Sequence, residues 1–518
     1  MKEKIFKIYP FLFWPLLTLV LVVIYWPSFN NFFFGDDFFN LMLSPATSLK
    51  QVINFFNLIK APESFPFYRP LTTQFYFWLG FKLFGLNPLG FHLINFSFFV
   101  FSLTLIFYLT KKTTKSLLVS YLTTFFYSLS SSHFYRLYFL SQFQEIGLVV
   151  FYLLTIIFYL KFIETKKIIN YFLTFLFLIL SILSKETAIT IPLSMLIIDF
   201  CFLRKKQNLT FWIKKRLKYI LPFVALIAVY LFFRFFFFGF SKGGEYIFIF
   251  KIKSILNSSL WYLFWSIGIP EAFVNVRIFD PRYFFNPKFL TNFGEDGALS
   301  TLLFSIFSIL CFIGVKLLFE KTNKIDKSKQ LKIILFSLGW FFTTLLLVLF
   351  FPFHKFSYSL SLPLMGVSLI LAIILKEVFK FSKLFFGLGL MLFILANYFS
   401  LRVAHNTHWA AERAKISKEV FSFFQQKYPE LSDNLEIYFY DDGYCNDINL
   451  PIKTNKSEQL AYVLSDDKGL NVLYRLNDYK NSKDFEKKKL KIFYQDKTLI
   501  ENICLKNAIL VSVDNFFD

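Results

Sequence analysis

From Ile8 to Phe34 the chain carries no charged side chain, and apolar stretches of similar length recur as far as residue 401. A bilayer core is crossed by about 20 apolar residues in a helix. Inside it, backbone polar groups must be bonded within the spanning elements themselves. A chain written this way folds as a polytopic membrane protein. The spans read as 8–28, 88–110, 116–132, 140–160, 168–184, 187–203, 217–238, 298–316, 333–352, 357–375 and 384–401. Composition agrees: 56% hydrophobic and 17% charged excludes a disordered chain, a coiled coil and a disulfide scaffold. The formal charge of +22 would suit nucleic acid. The Lys and Arg cluster in the short gaps between spans, however, so the partner is membrane lipid and not nucleic acid. The 79 Phe follow from AT-rich coding and lipid tolerance.

Charge sets the expected topology. With the N-terminus inside, the cytoplasmic gaps hold Lys2, Lys4 and Lys7, then Lys111, Lys112 and Lys115, then Lys161, Lys166 and Lys167. The series continues with 204–218, 316–332 and Lys376, Lys380 and Lys383, whereas the opposite gaps carry Arg136, Lys185 and Lys355 singly. The expectation is a cytoplasmic (inner) membrane protein, N-terminus in, its first span a signal anchor. Loops 29–87 and 239–297 and the tail 402–518 then face outward, with 251–269 lying along the outer surface. The tail opens with an amphipathic stretch, 403–428. Period-two runs follow at 435–440, 460–464, 471–475, 489–494 and 508–513, which read as strands of a small mixed α/β domain. The fold class is therefore an all-α polytopic bundle, 1–401, with a small C-terminal extracytoplasmic α/β domain, 402–518. Cys201 and Cys311 fall in apolar spans; Cys445 and Cys504 fall in the outward tail and could pair. His405 and His408, one helical turn apart, read as interfacial side chains, since two ligands do not make a metal site.

Candidate chemistry collects on the outward side. Asp36 and Asp37 follow the first span amid Phe, where neighbouring ionised carboxylates repel and are partly desolvated. Such a pair suits a proton acceptor, or two faces toward a divalent metal such as Mg or Mn. Arg69, between Tyr68 and Pro70, offers a planar guanidinium to a phosphate. Glu145, just inside a span, is costly there and marks a site; a partner in Arg136 is the plainer reading. Lys185 and Glu186 share a gap too short for slack, and an internal ion pair is again the plainer reading. His354 and Lys355 bring two more cations.

Asp36-Asp37 after the first span, Tyr68-Arg69-Pro70-Leu71, and Lys185-Glu186-Thr-Ala-Ile-Thr-Ile-Pro192 together resemble the GT-C membrane glycosyltransferases. The similarity covers roughly residues 1–410. The nearest branch is that of the protein O-mannosyltransferases and the TPR-bearing transmembrane O-mannosyltransferases. The resemblance implies a sugar donor on a polyprenyl phosphate and inverting transfer to a hydroxyl of a protein, a lipid-linked glycan or a polysaccharide. It implies a catalytic base at Asp36, support or metal binding from Asp37, and a catalytic acidic position at Glu145. Arg69, Lys185, His354 and Lys355 would meet the leaving phosphate, with Tyr68, Glu186 and Arg136 in support. Two departures stand out. Phe143 occupies the place of a His found in animal members, and the tail replaces a TPR array. The competing readings are a lipid-linked glycan flippase, which wants charge at mid-span, an O-antigen polymerase or ligase, which wants Arg and His in a late outer loop, and a noncatalytic scaffold presenting the tail.

Overall fold

The computed structural model describes residues 2–59, 67–204, 208–239, 244–274, 287–320, 324–441, 444–445, 454–476, 487–496 and 508–517. Helices dominate. The first four are α1 (Lys2–Tyr25), α2 (Asp36–Leu43), α3 (Leu49–Asn54) and α4 (Tyr76–Phe84). The bundle continues with α5 (Pro88–Thr114), α6 (Leu117–Ser128), the short α7 (Phe134–Tyr138), α8 (Phe143–Thr165), α9 (Ile168–Ile182), α10 (Ile191–Ile198) and α11 (Leu209–Phe238). It closes with α12 (Ile252–Ile267), α13 (Pro287–Glu320), α14 (Lys324–Leu345), α15 (Leu364–Phe381) and α16 (Lys383–Thr407).

Each of the eleven expected spans falls on helix. Among the described residues, seven helical stretches are long and apolar enough to cross a membrane, and α6 and α9 are shorter apolar helices. The ends follow local chemistry. Asn87 accepts from Leu89 N–H at 3.1 Å with Pro88 behind it, a side-chain cap that opens α5. Lys115 and Lys166 close α5 and α8 in the left-handed conformation. The 140–165 stretch that contains α8 is the most enclosed, 78% buried over its apolar window against 22% for α11. A charge at the start of α8 therefore meets protein, while Phe232 and Phe236 of α11 face outward. On α12, Ile252, Leu256, Leu260 and Leu263 form an exposed apolar stripe opposite the buried Trp261 and Trp265.

The chain leaves the bundle at His408, which caps α17 (Trp409–Lys427) by accepting from Ala410 N–H at 3.1 Å. Beyond it lie β1 (Glu436–Asp441), β2 (Tyr444–Cys445), β3 (Thr454–Asn455), α18 (Lys456–Leu464), α19 (Lys468–Arg475), β4 (Lys491–Asp496) and β5 (Ala508–Ser512). Strand order is β4-β1-β5, parallel throughout, with Glu436 opposite both Lys491 and Ala508. Parallel neighbours need crossover connections, and α18 and α19 lie on the one between β1 and β4. This corrects the expectation of strands at 460–464 and 471–475, which are helical. Leu460, Val463 and Leu464 are buried at helical spacing, and five residues are too few for periodicity to separate strand from helix. The pairing of Cys445 with Cys504 lies outside the described residues. Cys201 and Cys311 are free.

The tail is packed onto the bundle and continues its apolar core. Phe421 of α17 stacks on Phe38 of α2, centroids 5.2 Å apart and planes 10° apart, and meets Phe32 edge-on at 5.1 Å.

Candidate active site

An extended segment after α1 reaches Gly35, whose φ of 53° and ψ of −123° suit glycine and no bulkier residue. The turn there starts α2 with both acids in its first turn, where helix N–H groups favour negative charge. The two acids then part company. Asp37 points inward and is fully buried. Its Oδ1 accepts from Ser141 N at 2.7 Å and Ser141 Oγ at 2.5 Å, and its Oδ2 accepts from Phe34 N at 3.3 Å. Burial pushes its carboxyl up to about 8 against those bonds. Three donors converge on its two oxygens, and we read Asp37 as a brace between the Asp36 turn and the start of α8.

Asp36 points the other way. Its side chain touches solvent, yet enough protein surrounds it that burial raises the carboxyl above its ordinary range against the pull of Arg69, Arg413 and His354. Among the described residues nothing hydrogen-bonds or ion-pairs with its oxygens, so they are open to a ligand. Tyr135 and Tyr246 lie within its field.

The neighbouring cations pair in a crossed pattern. Arg69 donates through Nε to Glu186 Oε2 at 2.8 Å, reaches the same oxygen through a terminal nitrogen at 2.7 Å, and uses the other terminal nitrogen on Gln144 Oε1. Its plane lies 4.5 Å over Phe67. Lys185 pairs with Glu145 Oε1, and Ser361 Oγ donates to Glu145 Oε2 at 2.5 Å. The Tyr358 ring lies 4.8 Å from the Lys185 ammonium. This corrects two expectations. Lys185 and Glu186 are not each other's partners, and Glu145 answers Lys185 rather than Arg136. Glu145 was also expected as a catalytic group. It is buried, with Oε1 paired to Lys185 and Oε2 accepting from Ser361.

Arg136 is buried and bonds His133 Nδ1 at 2.5 Å and the carbonyls of Tyr358 and Ser132 at 3.3 and 3.4 Å. Tyr68 spends its hydroxyl on the Phe56 carbonyl at 2.7 Å. His354 pairs through Nδ1 with Glu245 at 2.9 Å and shares a 2.7 Å hydrogen bond with the Tyr358 hydroxyl through Nε2. Lys355 is different. It is partly buried, has no hydrogen bond or ion pair among the described residues, and burial pulls its ammonium down to about 8.

Sequence reading missed several groups. Glu271, in the turn after α12, accepts from Ser357 N at 3.1 Å and from Ser357 Oγ, and burial pushes it up to about 7. His408 Nε2 is 4.0 Å from its Oε2. Arg413, on α17, reads in sequence as one more solvated charge of an amphipathic helix; only the fold brings it toward Asp36. Gln144 and Ser141 are uncharged, and only the fold brings them to Arg69 and Asp37.

A metal held by Asp36 and Asp37 does not fit this donor set. Asp37 is committed to Ser141 and Phe34, and among the described residues no three His, Cys, Asp or Glu side chains form a metal-binding group. No step below passes through a metal.

Fold and site thus define a polytopic membrane protein with an open carboxylate among cations at one end of its bundle. Residues 68–233, about a third of the chain, match the family model of the dolichyl-phosphate-mannose-protein mannosyltransferases. That match and the helical bundle support a GT-C-type, mannosyltransferase-like membrane protein. No curated protein and no solved structure matches the chain. The matched segment contains Arg69, Glu145, Lys185 and Glu186 and stops short of both Asp36 and the tail.

Proposed function

We propose that the protein is an integral membrane glycosyltransferase that moves a sugar from a polyprenyl-phosphate donor to an acceptor hydroxyl, with inversion, at the outer membrane face. The observation that supports this reading is that no described residue hydrogen-bonds or ion-pairs with either Asp36 carboxylate oxygen, while Arg69, Arg413 and His354 act on it electrostatically. Orientation follows the Lys-rich gaps, which place the Asp36 end outside.

In this reading the acceptor hydroxyl donates a hydrogen bond to Asp36. As its oxygen attacks the anomeric carbon, Asp36 takes the proton. The bond from that carbon to the phosphate oxygen breaks, and the polyprenyl phosphate leaves with the bonding electrons. A positioned base contributes about 10²–10⁴-fold. The leaving phosphate needs positive charge that is not already spent. Arg69, Lys185 and His354 each come with a carboxylate. Lys355 does not, so it is the primary phosphate group, with the remaining N–H bonds of Arg69 beside it. Protein, lipid-linked glycan and polysaccharide acceptors all present the hydroxyl this chemistry requires.

The test uses purified protein in liposomes with radiolabelled polyprenyl-phosphate sugars, the product being identified by mass spectrometry. Wild type should transfer and Asp36→Asn should not, with membrane insertion intact. Full transfer by Asp36→Asn defeats the assignment.

A further inference from the structure

We propose that a cavity between the C-terminal ends of α1 and α16 and one face of α17 binds the phosphate of an anionic phospholipid, whose acyl chains run along the lipid-facing sides of α1 and α16. The proposal does not depend on the reading of Asp36.

The cavity holds about 600 Å³, within the range of sites that take a small ligand. Three elements line it. Asn30 comes from the turn Trp26–Asn30 that follows α1, His405 and Asn406 from the last turn of α16, and Lys415 and Lys418 from α17. Ala411 lines it too, and its small side chain leaves the space open.

Both helices expose apolar faces that lead to this cavity. On the first span Leu12, Leu16, Leu19, Val23 and Trp26 are exposed, at the alternating spacing of four and three that keeps to one helix face. On α16 Leu384, Met391 and Tyr398 are exposed at intervals of seven, and the exposed His405 follows at the next interval. Two apolar stripes therefore end at one polar cavity. Trp26 ends one stripe and Tyr398 lies near the end of the other, and these are the rings that membranes collect at headgroup level.

The lining is rich in groups that are not yet spent. Asn30, His405, Asn406 and Lys418 make no hydrogen bond or ion pair among the described residues. Lys415 meets Glu419 at 3.8 Å on the surface of its own helix, and exposed pairs of this kind add little. Glu412 is the one acid on the lining, against two lysines. Ammonium groups, an imidazole and amides at headgroup level suit a phosphate oxyanion. A soluble phosphate would use the same groups and neither stripe. The convergence of both stripes on the cavity favours a phosphate that carries chains.

The test uses the full chain in liposomes containing phosphatidylglycerol with a photoreactive diazirine near the head of one acyl chain. Cross-links are mapped by peptide mass spectrometry, with the outward-facing Phe232 and Phe236 of α11 as internal reference. Labelling of 12–32 and 384–407 should exceed that reference. It should fall about tenfold in the double variant Lys415→Gln, Lys418→Gln, since each Lys near the surface is worth about fivefold toward anionic lipid. Ala411→Leu fills the cavity at constant charge and should lower labelling likewise, which keeps the test decisive if the lysine variant does not fold. Photoreactive phosphatidylcholine should label the two segments no more than α11, and millimolar glycerol 3-phosphate should leave phosphatidylglycerol labelling intact. Unchanged labelling in either folded variant, equal labelling by phosphatidylcholine, or displacement by glycerol 3-phosphate overturns the proposal.

Discussion

Replacing each of the twin acids by its amide should separate two roles that adjacent positions conceal. Asp36→Asn changes a side chain that makes no hydrogen bond or ion pair among the described residues and reaches solvent. Its effect on stability should be that of a surface substitution, within about 0.5 kcal/mol. Its effect on transfer should be that of losing a base, about 10²–10⁴-fold. Asp37→Asn is the reverse. The carboxylate accepts three bonds, two from Ser141 and one from Phe34. An amide can keep its oxygen toward Ser141 only by turning its NH₂ on the Phe34 N–H. That leaves one buried donor unpaired and facing another donor, a cost of about 1–3 kcal/mol. Transfer by Asp37→Asn should fall only as far as the Asp36 turn loosens, and cooling should recover part of it. The assays are thermal unfolding of detergent-purified protein and single-turnover transfer of labelled sugar. Equal destabilisation by both variants would refute the division of labour. So would an inactive, fully stable Asp37→Asn beside an active Asp36→Asn.

The other groups give sharper stability and binding expectations. Lys185→Ala strands Glu145 uncompensated in the bundle, and breaking such a pair costs about 3–5 kcal/mol. Adding Glu145→Gln should recover much of that in the melting temperature. Lys355→Gln should raise KM for a polyprenyl-phosphate donor about tenfold or more while leaving unfolding unchanged, because this ammonium has no protein partner among the described residues; an unaltered KM removes Lys355 from the phosphate site. Glu271 holds its proton up to about 7 in the folded protein against 4.5 for the free side chain. Its contribution is therefore complete below pH 4.5 and declines as pH rises to 7, by at most about 3 kcal/mol. Melting temperatures from pH 5 to 8 should fall less steeply in Glu271→Gln, and parallel curves would refute the shift. For activity the sign at Asp36 is opposite, since the base must be ionised. Transfer is lost as pH falls through a carboxyl raised above 3.8, so the acid limb of kcat/KM should lie above that value and vanish with Asp36→Asn.

What the sequence disclosed and what it withheld divide along one physical line. Spans are legible because lipid imposes length and apolarity on a contiguous stretch, so each of the eleven expected spans coincides with helix. The α17 helix and three of the five tail strands were readable from local periodicity for the same reason. Pairing is not a local property. Lys185 and Glu186 are adjacent, yet the backbone sends one side chain to Glu145 and the other to Arg69, which comes from a loop more than a hundred residues earlier. Asp36 and Asp37 are adjacent as well. A helix rotates successive side chains by about 100°, so once Gly35 fixes the start of α2, one acid must face Ser141 while the other reaches solvent. The same rotation hides Arg413. On α17 it is one charge among Glu412, Lys415 and Lys418, and only the docking of Trp409 against Phe34 and Phe139 turns its face of the helix toward Asp36. A charge in a membrane span announces itself by its cost. A charge on an amphipathic helix announces nothing until something packs beside it. A site assembled from both kinds will be read from sequence only on its membrane half.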